Sequence, residues 1–227
     1  KLAFERYKIS NNKYKDFAGI DAFKINLEEN IKELSEKLIN RVYKAQNPFK
    51  FLYPKKHIGI TRIYTVLKVQ DAIVYQCIVD KIATDNFSKI TSNNKFVFSN
   101  HLNDCIKDGV KVLSNITFEN NFFFFKHFIP LWNKYTINRN NIIDGGAKYI
   151  LSTDITSFFD TIQHSILNQK LKKIYNVDKE IRDQLFEMLN VFSAFNEVKV
   201  FGVGIPQGPQ ASQFLAEIML YDIDQYI

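Results

Sequence analysis

Apolar residues recur at helical spacing at Leu27, Ile31, Leu34, Leu38 and Val42, which predicts an amphipathic helix from about Asn26 to Ala45. Asn26 is its expected N-cap, Glu29 three residues on fits a capping box, and Pro48 bars further extension. The stretch FKFLYPKKHIGITRIYTVLKV then turns rich in β-branched and aromatic residues and is broken by Pro54 and Gly59. It predicts two extended segments joined by a basic turn at Lys55 and Lys56. Helical spacing returns in QDAIVYQCIVDKIA, with Ile73, Val74, Cys77, Ile78 and Ile82 on one side and Asp71 as the expected cap.

From about Asn86 to Asn141 no period holds. Asn-rich turns, a short strand at Lys95–Ser99 and mixed helical fragments are expected there. The run Phe122–Phe125 is expected in the core, because large exposed apolar patches are rare. Asp144-Gly145-Gly146 marks a turn, YILSTDI a short apolar strand and SFFD a tight turn. Two helices are expected over about 163–175 and 178–192, then a strand, VKVFGVG, entering a glycine turn. Beyond Pro209, Phe214, Leu215, Ile218 and Met219 predict a last amphipathic helix. There is no internal repeat.

Length and composition narrow the class. A chain of 227 residues, 46% hydrophobic and 24% charged, can bury one large core or two small ones and is not a disordered sequence. Its 21 Phe imply a heavily aromatic interior, or surfaces covered by other parts of a protein. The formal charge of +6 suits a polyanionic partner, as it suits many proteins that bind none. Cys77 and Cys105 have no partner at zinc-ligand spacing and read as reduced structural thiols in a cytoplasmic setting. No apolar run reaches the length of a membrane span, and KLAFERYKIS lacks the apolar core of a signal peptide.

Two segments carry candidate chemistry. In LSTDITSFFDTIQH, Asp154 ends an apolar stretch, where a carboxylate can hold a hard cation such as magnesium; Phe158, Phe159 and Asp160 follow. Alone, such an Asp is more often a cap or turn residue. In GVGIPQGPQASQFLAEIMLYDID, Gly204 and Gly208 permit close backbone approach, and Gln207 can point an amide at whatever lies over the turn. Alone, this is an ordinary strand–turn–helix connection.

Together, in this order and about fifty residues apart, the two segments resemble the first and second palm motifs of reverse transcriptases. TDITSFFDTIQH is similar to the family's Asp-plus-aromatic motif, and GIPQGPQASQFLAEI to its Pro-Gln-Gly turn running into a helix. Upstream, Lys55–Lys56, Arg62 and Asp71-Ala-Ile-Val-Tyr-Gln76 look like the basic turn, strand Arg and helix of the fingers, although Leu67 stands near the place where the family usually has Pro. The string PQGPQASQFLAEI looks closest to bacterial phage-defence enzymes of the abortive-infection type, since group II intron and retron enzymes usually diverge after PQG.

The resemblance implies an α+β fold: right-hand fingers over 1–148, helix-rich around a small antiparallel sheet, and a partial palm over 149–227 with fingers helices interleaved at about 166–204. It implies a DNA polymerase using two Mg2+ ions, with Asp154 and the Ile155 carbonyl as ligands and Phe159 as a steric gate favouring deoxynucleotides. Lys55, Lys56 and Arg62 would hold the triphosphate, and Gln207 and Gly208 would line the nucleotide pocket. Asp160 and His164 take structural roles. The implied partners are an RNA template or DNA product and deoxynucleoside triphosphates, with room for a homo-oligomer and no membrane. The family's Tyr-x-Asp-Asp ligands are not in these residues; Tyr221–Asp224 reads YDID inside a predicted helix, so this piece by itself is expected to be inactive. The competing reading is a non-catalytic nucleic-acid-binding or assembly module, with the aromatics of Phe122–Phe128 serving a partner interface.

Overall fold

The computed structural model describes residues 1–10, 12–54, 61–91, 97–108, 110–114, 123–193 and 201–226. Its architecture is α+β, helices with two small antiparallel hairpins. The elements in chain order are α1 (Leu2–Ile9), α2 (Phe17–Ile25), α3 (Leu27–Ile39), β1 (Phe49–Pro54), β2 (Thr61–Val66), α4 (Val69–Asp85), α5 (Phe87–Thr91), β3 (Asp104–Lys107) and β4 (Val110–Leu113). There follow α6 (Phe128–Asp144), α7 (Phe158–Thr161), α8 (His164–Lys173), α9 (Lys179–Ser193) and α10 (Gln210–Tyr226).

The helix α4 is central, packed by α1, α9 and α10. Val69, Ala72, Ile73, Val74, Tyr75, Val79, Ile82 and Ala83 are all buried, so it is apolar nearly all round, as a core helix must be. Tyr75 stacks edge-on against Phe192 of α9 and shares a 3.0 Å hydrogen bond with Ser212 of α10, satisfying a hydroxyl that has lost all contact with water. Cys77 faces outward instead, on the exposed side of α4.

Some local expectations change. Asn26 stands at the N-cap of α3 but makes no side-chain capping bond, and the helix ends at Ile39 rather than near Ala45. The stop is a Schellman turn: Arg41 is left-handed (φ 57), Val42 N–H donates to the Lys37 carbonyl at 3.0 Å and Arg41 N–H to that of Leu38 at 3.1 Å. Val42 is therefore exposed. Asp71 lies within the first turn of α4 and does not cap it. Its buried carboxylate instead accepts from the Tyr43 hydroxyl and, at 3.2 Å, from Gln46 N–H, tying down the approach to β1. Burial pushes that carboxyl above its ordinary range, against the pull of both bonds.

In the Phe run, Phe124 is fully buried against Phe214, with the Arg6 guanidinium 5.2 Å above its ring, whereas Phe123 is exposed. Arg6 is itself fully buried, paired with Asp80 and donating to the Ser114 carbonyl at 2.7 Å. The expected strand at Lys95–Ser99 does not form over 97–99, and its first two residues lie outside the described ones. YILSTDI is not a strand either: no described strand lies beside it to form a ladder, and Tyr149, Ile150 and Leu151 are 91%, 69% and 92% exposed. In α6 only Leu131 is buried.

Candidate functional site

The site is built around a glycine-bearing turn. After α7, the chain at Gln163 forms an antiparallel bridge with Val203. Gly204 N–H donates to the Ile162 carbonyl at 2.7 Å, Ile205 N–H to that of Phe159 at 2.9 Å, and His164 N–H to that of Gly202 at 2.8 Å. The segment holding Asp154 and the segment holding Gln207 are thus laced together by backbone bonds. Gly204 has φ +89, a conformation that L side chains rarely adopt, while a Cβ there would meet the Asp160 carbonyl at an ordinary contact distance of 3.4 Å. The Gly204 carbonyl accepts from Ser193 Oγ at 2.7 Å and lies 2.6 Å from His164 Nε2, buried between α8 and the turn. His164 thereby holds the turn in shape.

The hairpin β1–β2 closes on the other side. Thr65 N–H of β2 donates to the Gln207 carbonyl at 3.0 Å. Gly208 (φ +129) leaves so little room that a Cβ would lie 3.1 Å from Tyr64 Cε1, 3.3 Å from Asn12 Nδ2 and 3.3 Å from the Thr65 carbonyl. Cross-strand register pairs Tyr53 with Arg62, Phe51 with Tyr64 and Lys50 with Thr65. Side chains alternate across a strand, so Arg62 shares its face with Tyr64, the ring against Gly208, about 7 Å along the chain. Arg62 is exposed. Lys55 and Lys56, expected to hold the triphosphate with it, lie outside the described residues.

Asp154 is exposed and makes no hydrogen bond or ion pair among the described residues; Ile155 beside it is 49% exposed. Ser157 is left-handed (φ 52) and turns the chain into α7. Phe159 is half-buried, edge-on to Phe158, its carbonyl held by Ile205. Asp154 stands five positions before that anchor, so its Cα lies within about 18 Å of the Cα of Phe159 by chain length alone. Among the described residues no group of three or more His, Cys, Asp or Glu could hold a metal. A hard dication takes about six oxygens, so Asp154 and the Ile155 carbonyl are a partial set at best.

One residue escaped sequence reasoning. Lys50 sits half-buried on β1 opposite Thr65, on the face away from Arg62. Burial lowers its ammonium to about 8, opposed by the nearby Asp160 carboxylate. It is a cation of the hairpin within electrostatic reach of Asp160. Its only sequence signal is a lysine amid apolar strand residues, whose partner is fixed by hairpin register.

No protein-family model matches the chain. It is 27% identical over 131 residues to the COX1/OXI3 intron 2 protein of Saccharomyces cerevisiae. That match covers 54% of this chain and 15% of the yeast protein, so the chain spans a small part of that relative's length. At this distance the likeness is partial, to a protein named for an intron. No described helix is long and apolar enough to cross a membrane.

Proposed function

We propose that this chain carries the fingers (1–148) and part of the palm (149–227, with the helices of about 166–204 returning to the fingers) of a reverse transcriptase-type DNA polymerase. The observation that carries the reading is the lacing of 159–164 to 202–205, with the 207–208 turn bonded in addition to β2. Two sequence motifs and a basic hairpin, far apart in the chain, meet at one turn. The partial similarity to a yeast protein named for an intron is in keeping with a chain that works on nucleic acid.

In this reading Asp154 and the Ile155 carbonyl help hold magnesium, which when bound activates a 3′-hydroxyl and offsets charge on the leaving pyrophosphate. Arg62 grips a nucleoside triphosphate, its fork matching phosphate oxygens. The Phe159 ring stands against a ribose 2′-hydroxyl and favours deoxynucleotides. Gln207 and the Gly208 backbone line the nucleotide pocket. A role in phage defence, with templated or template-free synthesis, is part of the same proposal.

The test is incorporation of labelled deoxynucleotides, with and without RNA, by the protein as its gene encodes it. Asp154→Ala is expected to abolish incorporation, by at least about a thousandfold for loss of a ligand to the reacting ions. Retention of full activity by Asp154→Ala, or no incorporation by the wild type, sinks the reading in favour of a binding or assembly module.

A further inference from the structure

An aromatic stripe at helical spacing is normally core. On α6 it is not. Phe128, Trp132 and Tyr135 follow at i, i+4 and i+7 on one face, 58%, 51% and 37% exposed. Their ring centroids are 5.7 and 5.3 Å apart, and the Arg139 guanidinium continues the row 6.0 Å from the Tyr135 ring. Lys126 and Lys134 both stand near enough to His101 to oppose its protonation, so positive charge flanks the row. Residues 123 to 148 hold four cations, Lys126, Lys134, Arg139 and Lys148, against one carboxylate, Asp144; Lys126 is paired with Asp104 at 2.7 Å, which leaves Lys134 and Arg139 as the cations of the row itself.

The near end of this row opens into a cleft of about 660 Å³, whose lining includes Phe128, Phe125, Tyr64, Gly208, Gln210 and Gln213. Gln210 and Gln213 are i and i+3 on α10, so both amides lie on one side of the helix. Neither side chain makes a hydrogen bond among the described residues. Amides carry donors and acceptors matched to base edges, and every base has a face that stacks on an aromatic ring.

We propose that this row and cleft bind an unpaired strand of nucleic acid, bases stacking on Phe128, Trp132 and Tyr135 and phosphates meeting Lys134 and Arg139. The inference rests on the polymerase reading, because the cleft ends at the Gly208 turn, where an unpaired base would meet the incoming nucleotide. Residues that fit no family motif thereby supply the stacking wall.

The test is fluorescence anisotropy with labelled oligo(dT), oligo(rU) and a duplex of equal length. Single strands are expected to bind more tightly than duplex, and Trp132→Ala to weaken them about tenfold, the loss of one stacked base. Phe17→Ala, an equally exposed aromatic on α2, should leave binding unchanged. A preference for dT or rU identifies the strand's chemistry and supports the proposal either way. Unchanged binding by both Trp132→Ala and Phe128→Ala/Trp132→Ala overturns it. So does a failure to bind single strands, including the case where these variants instead dissociate an oligomer seen by light scattering. If the wild type binds through Trp132 yet incorporates no nucleotide, the polymerase reading falls and this one stands. If Asp154→Ala abolishes incorporation while Trp132→Ala binds normally, the reverse holds.

Discussion

Gly208→Ala is the sharpest test of the turn. The substitution adds one methyl group at φ +129, where an L-residue is strained by about 1–2 kcal/mol. The methyl would also lie 3.3 Å from the Thr65 carbonyl and 3.1 Å from the Tyr64 ring. Asn12 Nδ2, also at 3.3 Å, ends a side chain and can move, but the Thr65 carbonyl is strand backbone, pointing away from β1 beside the N–H that bonds Gln207, and cannot swing aside. Crowding of that kind costs about 1–2 kcal/mol more. Gly146 supplies the control: it too has positive φ (+101), but a Cβ there meets nothing within 4 Å. Urea denaturation should give Gly146→Ala a loss of about 1–2 kcal/mol and Gly208→Ala a loss of about 2–4 kcal/mol. In a domain of this size the second is a fall of roughly 6–12 °C in Tm. Equal losses for the two variants, within about 0.5 kcal/mol, refute the close approach of turn and hairpin.

Arg41→Gly places the residue that best suits a left-handed C′ position after α3 and should raise stability by about 0.5–1 kcal/mol, because the exposed Arg41–Glu180 pair that it deletes contributes little. Thermal melts showing a loss would point to a larger role for that pair. Lys50, with its ammonium lowered to about 8, should be modified by a small amine-reactive reagent at pH 8 well ahead of Lys37 on α3, as read by mass spectrometry. The sign follows from the depression: the folded chain holds this proton less tightly than the unfolded one, so Lys50 costs stability most below pH 8, and the cost fades as pH rises towards 10.5. Lys50→Met should accordingly stabilise the protein at pH 7 and not at pH 10.5, and the opposite trend would mean Asp160 outweighs burial.

The helices α8, α9 and α10 were legible because each repeats apolar residues on a face that the fold then buries, and α4 because it is apolar nearly all round, although Cys77 on its expected side turns outward. The end of α3 was not, since nothing in the letters says that Arg41 will adopt a left-handed turn and peel Val42 off the apolar face. Asp71 has the residue type of a cap, but Tyr43 and Gln46 reach it only after the chain folds back. The segment Tyr149–Ile155 has the composition of a strand, and composition cannot supply a neighbour. The hairpin β3–β4 has a signal in its letters, Asp108-Gly109 between two four-residue runs, but the runs are too short to show a period, and α1 and α2 lack a clean apolar stripe. In the candidate site, the turn glycines and Gln207 could be picked out by their spacing. Lys50 could not, because its place is a matter of register against Thr65, and the aromatic row on α6 reads as core until its exposure is known.

The bond from Thr65 N–H to the Gln207 carbonyl has a mechanical meaning. It ties a two-stranded ribbon to the turn on which the glutamine is mounted. A displacement of β2 at Thr65, three residues along the strand from Arg62, drags the Gln207 carbonyl with it unless that bond breaks. In the proposed polymerase, a grip at Arg62 and the setting of the amide would then be one event rather than two.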